Sequence, residues 1–370
     1  MTPIYMSGPW ITEHEERIVL DALRAGWYGE KAYHYVETFE REFAAHHDRR
    51  FALMTPNCTS AIHLLLKGLG IGPGDEVIAP DCTWIGSVAG ITYVGAATVF
   101  GDIDPVHWCL TPETIARVIT PRTRAVIVVD LFGNMPDMDA LRALCEERNL
   151  ILIEDSAEAL GSLYRGVRAG KFGIGSVFSF HRTKTLTTGE GGMLLLDDER
   201  LFERCKLLRD HGRAPGAYYN VEVTPKYMPF NLQAALGHAQ FQRLDELVAR
   251  KRSIWRQYME HLGDIPGLSF NPEPPHVFNS VWSPVVVFAP SLGMTRDRAM
   301  AEMASRGIPS RPFFFPLSSL PAFPGREAEG RRDNPVCYDI SSRGINLPAA
   351  LTITDEQIAT VCAALRSFLT

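Results

Sequence analysis

The stretch Ala125-Val-Ile-Val-Val-Asp-Leu131, followed by Asp137-Met-Asp-Ala-Leu-Arg-Ala-Leu-Cys-Glu-Glu-Arg148 and then Leu150-Ile-Leu-Ile-Glu-Asp-Ser-Ala-Glu158, decides the fold. The first run is almost uninterruptedly apolar, which predicts a strongly buried strand over Ala125–Leu131. The second has helical spacing over Asp137–Arg148, and the third returns to a strand over Leu150–Glu154. Strand, helix and strand in this order form one right-handed crossover unit of a mostly parallel sheet.

Outward from this unit the alternation continues. Towards the N-terminus the pattern predicts strands over Arg50–Met54, Glu76–Ala79 and Ala97–Phe100, the second entered through the turn Gly72-Pro73-Gly74-Asp75. Helices fall at Thr59–Leu69 and near Ser87–Val94, and Thr111 is placed to N-cap another. Towards the C-terminus, Ser176–Phe180 and Gly192–Leu196 read as two more strands. From Asn231 one apolar face runs on to Gly263, predicting a single helix of roughly 50 Å. A Pro-rich stretch from Pro272 to Pro275, a strand over Val281–Phe288 and helices from Thr295 and Thr354 follow. The expectation is an α/β protein with a large domain over residues 1–245, including the N-terminal segment, and a smaller α+β domain over residues 246–370.

Composition narrows the class. With 37 basic against 43 acidic residues and no basic block, nucleic acid and anionic membranes are not expected partners. No apolar run approaches the ~20 residues that cross a bilayer, and Met1 to Trp10 lack the pattern of a secretory signal. The seven cysteines are scattered and never form a Cys-x-x-Cys pair, so neither a metal site nor a disulfide framework is expected. A reducing cytoplasm fits.

Four features carry chemistry. Phe178-Ser-Phe-His-Arg-Thr-Lys-Thr-Leu-Thr-Thr-Gly-Glu-Gly-Gly192 places Lys184 in a hydroxyl-rich loop between two strands, and its glycines permit close packing against a ligand. Asp155 stands at the C-terminal end of a strand, where open α/β sheets bind ligands, and a carboxylate there would keep a pyridine nitrogen protonated. Asn57-Cys-Thr-Ser60 opens a helix, whose free N–H groups suit a phosphate. Trp84 follows a strand, placed to stack on a flat ring. Singly these read as a solvated lysine, two ordinary helix caps and a core tryptophan. Together they are a complete set for holding pyridoxal phosphate.

The chain resembles the DegT/DnrJ/EryC1/StrS nucleotide-sugar aminotransferases over nearly its whole length. Gly72-Pro-Gly-Asp-Glu-Val77, Ile119-Thr-Pro-Arg-Thr-Arg-Ala125, Glu154-Asp-Ser-Ala-Glu158, Lys184-Thr, Thr188-Gly-Glu-Gly-Gly192 and Ile345-Asn-Leu-Pro348 carry the likeness. It implies the aspartate-aminotransferase fold (fold type I) with a seven-stranded sheet, and pyridoxal 5'-phosphate as cofactor. Lys184 is then the catalytic lysine, which bonds to the cofactor, and Asp155 pairs with its ring nitrogen. Glu158 lies near the phenolic oxygen, Ser179 and Cys58–Thr59–Ser60 bind the phosphate, and Trp84 stacks on the ring. Relatives with histidine for the lysine are sugar dehydratases; Lys184, five residues after Ser179, implies transamination, with His181 merely nearby.

Family members also dimerise, and a partner residue reaches the phosphate from a Gly-x-Asn-x-Arg segment. This chain departs there, reading Thr224-Pro-Lys-Tyr-Met228, so Lys226 takes the asparagine position. Gly307-Ile-Pro-Ser-Arg-Pro-Phe-Phe-Phe-Pro316 resembles the stretch of members that aminate a nucleotide-linked 4-keto-6-deoxymannose with L-glutamate. Arg311 would then meet a phosphate or carboxylate and the phenylalanines, Phe313 among them, would line the sugar or base pocket, the other reading being a buried aromatic cluster. Another nucleotide-linked ketosugar, a ketocyclitol, and an inactive cofactor-binding regulator remain alternatives.

Overall fold

The computed structural model describes residues 3–214 and 216–369. Seven strands form the large sheet: β1 (Phe51–Thr55), β2 (Glu76–Pro80), β3 (Ala97–Gly101), β4 (Thr123–Val129), β5 (Ile151–Asp155), β6 (Gly175–Ser179) and β7 (Gly192–Leu196). Their order is β1-β7-β6-β5-β4-β2-β3. Strands β3, β2, β4, β5 and β6 pair in parallel, and β7 alone runs against its neighbours β6 and β1.

Strand β4 shows why the sheet is parallel. Ala125, Ile127 and Val129 join one apolar cluster with Val77, Ala79 and Phe132. The alternate residues Val126 and Val128 join another with Ile78, Leu141 and Leu152. Both faces are buried, as the uninterrupted apolar run demands.

Six helices matter for the site: α1 (Glu13–Ala25), α2 (Cys58–Gly68), α3 (Met138–Glu147), α4 (Asn231–Phe241), α5 (Leu244–Leu262) and α6 (Asp355–Arg366). A second, antiparallel sheet consists of β8 (Leu268–Phe270), β9 (Val285–Phe288), β10 (Arg311–Pro312) and β11 (Gly344–Asn346), in the order β8-β9-β11-β10. Its core takes Ile254, Tyr258 and Leu262 of α5 together with Ile358, Val361 and Leu365 of α6.

Two expectations are corrected. The single helix from Asn231 to Gly263 is two helices, broken at Gln242–Arg243. Neither proline nor glycine breaks it. The Arg243 guanidinium donates to Trp10 O at 3.1 Å and to the buried Glu15 carboxylate at 2.7 Å, and these contacts fix the bend. The strand Val281–Phe288 begins only at Val285, because Val281 adopts a left-handed φ of 55°. At the N-terminus Met6 O and Gly8 O accept from Ala349 N and Leu351 N and Ile4 packs against the smaller core, while Ala22 of α1 packs with β1, β6 and β7 of the large sheet.

Candidate active site

The cluster forms at the C-terminal ends of β5 and β6. Asp155 closes β5 and is buried, at 2% exposure. Its Oδ1 accepts from Ala157 N at 3.1 Å, and the Ser87 hydroxyl holds it from the side. Burial pushes the Asp155 carboxyl above the usual range, against the pull of the Ser87 and Ala157 bonds and the Lys184 charge.

Lys184 sits in the connection between β6 and β7, a tight loop tied by Phe180 N to Gly191 O, Arg182 N to Gly189 O and Lys184 N to His181 O. Its Nζ donates to Glu158 Oε1 at 3.2 Å and lies 4.0 Å from the centre of the Trp282 ring. Glu158 is fixed in turn by Phe132 N, 2.8 Å from Oε2. Burial raises the Glu158 carboxyl, while the Lys184 ammonium and the Phe132 N–H lower it. Ser179 shares the same cleft with Lys184, Glu158 and Trp282. His181 turns aside, its Nδ1 2.9 Å from Thr183 Oγ1.

Helix α2 points its N-terminus at this cluster. Asn57 is the N-cap and accepts from Ser60 N at 2.8 Å, so the free N–H groups of the first turn belong to Cys58 and Thr59. The Ser60 hydroxyl faces Tyr227 instead. Cys58 feels the charges of Asp155, Lys184 and Glu158, which places it among them. Trp84 is 63% exposed, with its ring beside Gly86 and 6.4 Å from Phe314.

Two aromatic residues at the site, Phe132 and Trp282, were not expected from the sequence. Phe132 stacks nearly parallel to Trp282 and to Phe314, at 6.0 Å and 5.2 Å between centroids. Phe132 and Val281 both have left-handed backbone, at φ 54° and 55°. Such positions cost a bulky or β-branched residue on the order of 1–3 kcal/mol and persist where the surroundings over-determine them. Here the first aims an N–H at Glu158 and the second delivers Trp282, whose Nε1 donates to Thr183 O at 2.7 Å. Only the local left-handed turns reveal these roles, and no residue type in the sequence advertises them.

Phe313 requires correction: it is fully buried, against Trp108 and Phe132, and does not line the cleft. Phe314, next in the chain, faces Trp84 instead. Arg311 stands at the edge of β10, 3.5 Å from Ser7 Oγ and close to Arg182. Lys226 is not brought to the cluster: its ammonium pairs with Asp210.

The residues present fit pyridoxal phosphate. A Cβ on Gly192 would stand 2.5 Å from Asn57 C and 2.6 Å from Cys58 N, so only glycine lets β7 pass beneath the helix start that would take the phosphate. The buried Asp155 would take the ring nitrogen, Lys184 the aldehyde, and Ser179 the phosphate. A lysine, a strand-end carboxylate and a helix N-terminus on a fold of this kind define a pyridoxal-phosphate-dependent aminotransferase. The chain belongs to the DegT/DnrJ/EryC1/StrS aminotransferase family, whose pattern it matches over residues 9–366. It is similar to the GDP-perosamine synthase of Escherichia coli O157:H7, 35% identical over 99% of this chain and 98% of that one. It is likewise similar to the GDP-perosamine synthase of Caulobacter vibrioides, at 36% over 99% and 98%. Among solved structures it superimposes on 3-amino-5-hydroxybenzoic acid synthase with a TM-score of 0.91 and 29% identity, over 100% of this chain and 99% of that one. For DesV of S. venezuelae the values are 0.89 and 30%, over 100% and 99%.

Proposed function

We propose that this enzyme transfers the amino group of L-glutamate to a nucleotide-linked keto-deoxysugar, with GDP-4-keto-6-deoxymannose and its product GDP-perosamine as the specific reading. The observation that carries transamination is Lys184 Nζ held 3.2 Å from Glu158 over the face of Trp282, close enough to the buried Asp155 for its charge to act on that carboxyl. The sugar reading rests on full-length similarity to GDP-perosamine synthases. Arg182 and Arg311, which both act on His181 beside the Lys184 loop, add support. They are close neighbours, and neither has a carboxylate partner among the described residues, as expected of a site for anionic phosphates or carboxylates.

Pyridoxal phosphate, when bound, supplies the electron sink. The chain does the remaining work. The Lys184 amine takes a proton from the substrate carbon and returns it one position away, and Glu158 and Trp282 keep Nζ aimed at that line. Asp155 presents a fixed negative charge, kept in place by Ser87 and Ala157 N. Cys58 and Thr59 N–H groups with Ser179 would anchor the phosphate, and Trp84 would cover the ring.

The enzyme is proposed to be a homodimer with shared sites, Lys226 of one subunit meeting the phosphate of the other. Exposed apolar side chains such as Tyr28 at 94% and Phe230 at 49%, the latter packed on Trp27, supply surface for a second copy. A cytoplasmic location is proposed from the seven unpaired cysteines. No helix among the described residues is long and apolar enough to cross a membrane.

The test is spectroscopic. The visible absorption of the purified, cofactor-loaded protein is expected to bleach with L-glutamate and return with GDP-4-keto-6-deoxymannose. Return only with a different nucleotide's ketosugar, or with a ketocyclitol, would replace the specific substrate.

A further inference from the structure

Two acidic side chains lie inside the large sheet with no part in the chemistry above. Val128 pairs with Glu154 and Val129 with Asp155 in parallel register. The next position sets Asp130 beside Ser156. Side chains alternate along a strand, so Asp130, Glu154 and Ser156 share one face and Asp155 lies on the other. Both Asp130 and Glu154 have 0% exposure.

Their surroundings differ. Glu154 accepts from Gly170 N and from Phe172 N, each at 2.8 Å. Asp130 has no backbone donor on its carboxyl and no ion pair among the described residues, and the polar side chains next to it are Glu154 and Ser156. Arg49 lies near Glu154, but its guanidinium is occupied by Gly170 O, Phe172 O and Asp197. The remaining neighbours are Asp155 across the sheet, the Cys109 thiol beside Asp130 and the Ser176 hydroxyl, which donates to Gly170 O. Two carboxylates in hydrogen-bonding reach inside an apolar sheet cannot both stay ionised, and they titrate as a pair. Burial, then the Glu154 charge, drives the Asp130 carboxyl well above the usual range. Burial also brings Glu154 up to about 7, against the pull of Gly170 N–H and Arg49.

We infer that Asp130 and Glu154 share one proton behind the catalytic face and that this pair is a positioning device for Asp155, setting the potential Asp155 presents to the cofactor's ring nitrogen. As pH rises through about 7 the pair passes from neutral to singly charged, with Asp130 retaining the shared proton. The added negative charge behind Asp155 favours the protonated ring nitrogen. The inference rests on the cofactor assignment for its consequence, but the shared proton stands without it.

Two measurements separate these parts. Infrared spectra of the protein at pH 8 are expected to show a protonated buried carboxyl that Asp130→Asn removes. The Asn amide donates to Glu154 and favours its ionised form. Absence of that band in the unmodified protein, or its persistence in Asp130→Asn, overturns the shared proton whatever the enzyme's substrate. The pH dependence of the bound cofactor's visible absorption and of kcat is expected to show a step near 7. In Asp130→Asn that step moves down by about one pH unit or more. In Glu154→Gln, which keeps a neutral partner for Asp130 and serves if the first variant does not fold, the step disappears. A step unmoved by a folded variant overturns the positioning role.

Discussion

Lys184 is held by three different forces: an ion pair to Glu158, the face of Trp282, and a loop tied back on itself. Replacing Lys184 by Ala removes the proton carrier, so transamination is expected to fall by at least about 1000-fold in a coupled glutamate assay. Asp155→Asn keeps the shape but not the charge. Its rate is expected to fall about 100-fold or more with the thermal midpoint unchanged, and near-normal kinetics would remove Asp155 from its role. Trp282 separates packing from hydrogen bonding. Phe at this position keeps the ring under Nζ and loses only the bond to Thr183 O, so it is expected to retain far more activity than Ala, and equal loss in both would assign the effect to that bond. Asp155 was legible from its strand-end position, Lys184 only in combination with the other three signals, and Glu158 only through the family resemblance. Trp282 was not, because it reaches the site only through the left-handed turn at Val281, where the apolar pattern read as strand. Phe313 shows the same weakness on a smaller scale, since it packs into the core while its neighbour Phe314 faces Trp84.

Elements position these residues through a few close approaches. The passage of β7 under the start of α2 is one of them, and Gly192→Ala forces backbone apart at Asn57–Cys58. Overpacking of this kind costs about 1–3 kcal/mol. The variant is expected to melt several degrees lower and to bind pyridoxal phosphate about 10-fold more weakly in equilibrium titration; unchanged affinity would place the phosphate elsewhere. The bend between α4 and α5 depends on Glu15 and Arg243. Burial alone would raise the Glu15 carboxyl, but bonds from Thr12, Arg243 and Gln240 bring it down to about 2. A folded-state value below the unfolded one means stabilisation that is present above about 4.5 and fades as pH falls towards 2. Glu15→Gln is therefore expected to lose about 2 kcal/mol at pH 7, with the deficit closing below pH 4 in denaturant titrations. The strands of the large sheet were legible to within about two residues at each end, since burial on both faces writes a continuous apolar run, whereas β8, β10 and β11 of the smaller sheet are too short to write one. The bend was not, because a contact from a segment more than two hundred residues away imposes it.

At the scale of the whole molecule the open question is which chain completes each site. Within one chain Lys226 is tied to Asp210 and takes no part in the Lys184 cluster. Its proposed role is in a partner's site, and that arrangement makes a quantitative prediction. Lys184→Ala and Lys226→Ala proteins are each expected to show little activity alone. In a two-fold dimer each site draws Lys184 from one subunit and Lys226 from the other. A mixed dimer of the two variants therefore contains one intact site and one doubly damaged site. After random exchange half the dimers are mixed and half of their sites are intact, so activity should recover to about one quarter of the unmodified enzyme. If both lysines served the same subunit's site, every site would lack one of them and mixing would restore nothing. Full activity in Lys226→Ala alone would instead show that this chain has dispensed with the partner's phosphate contact, in keeping with its departure from the family's Gly-x-Asn-x-Arg segment. The recovered fraction thus decides between a shared site, a self-contained site and a redundant lysine.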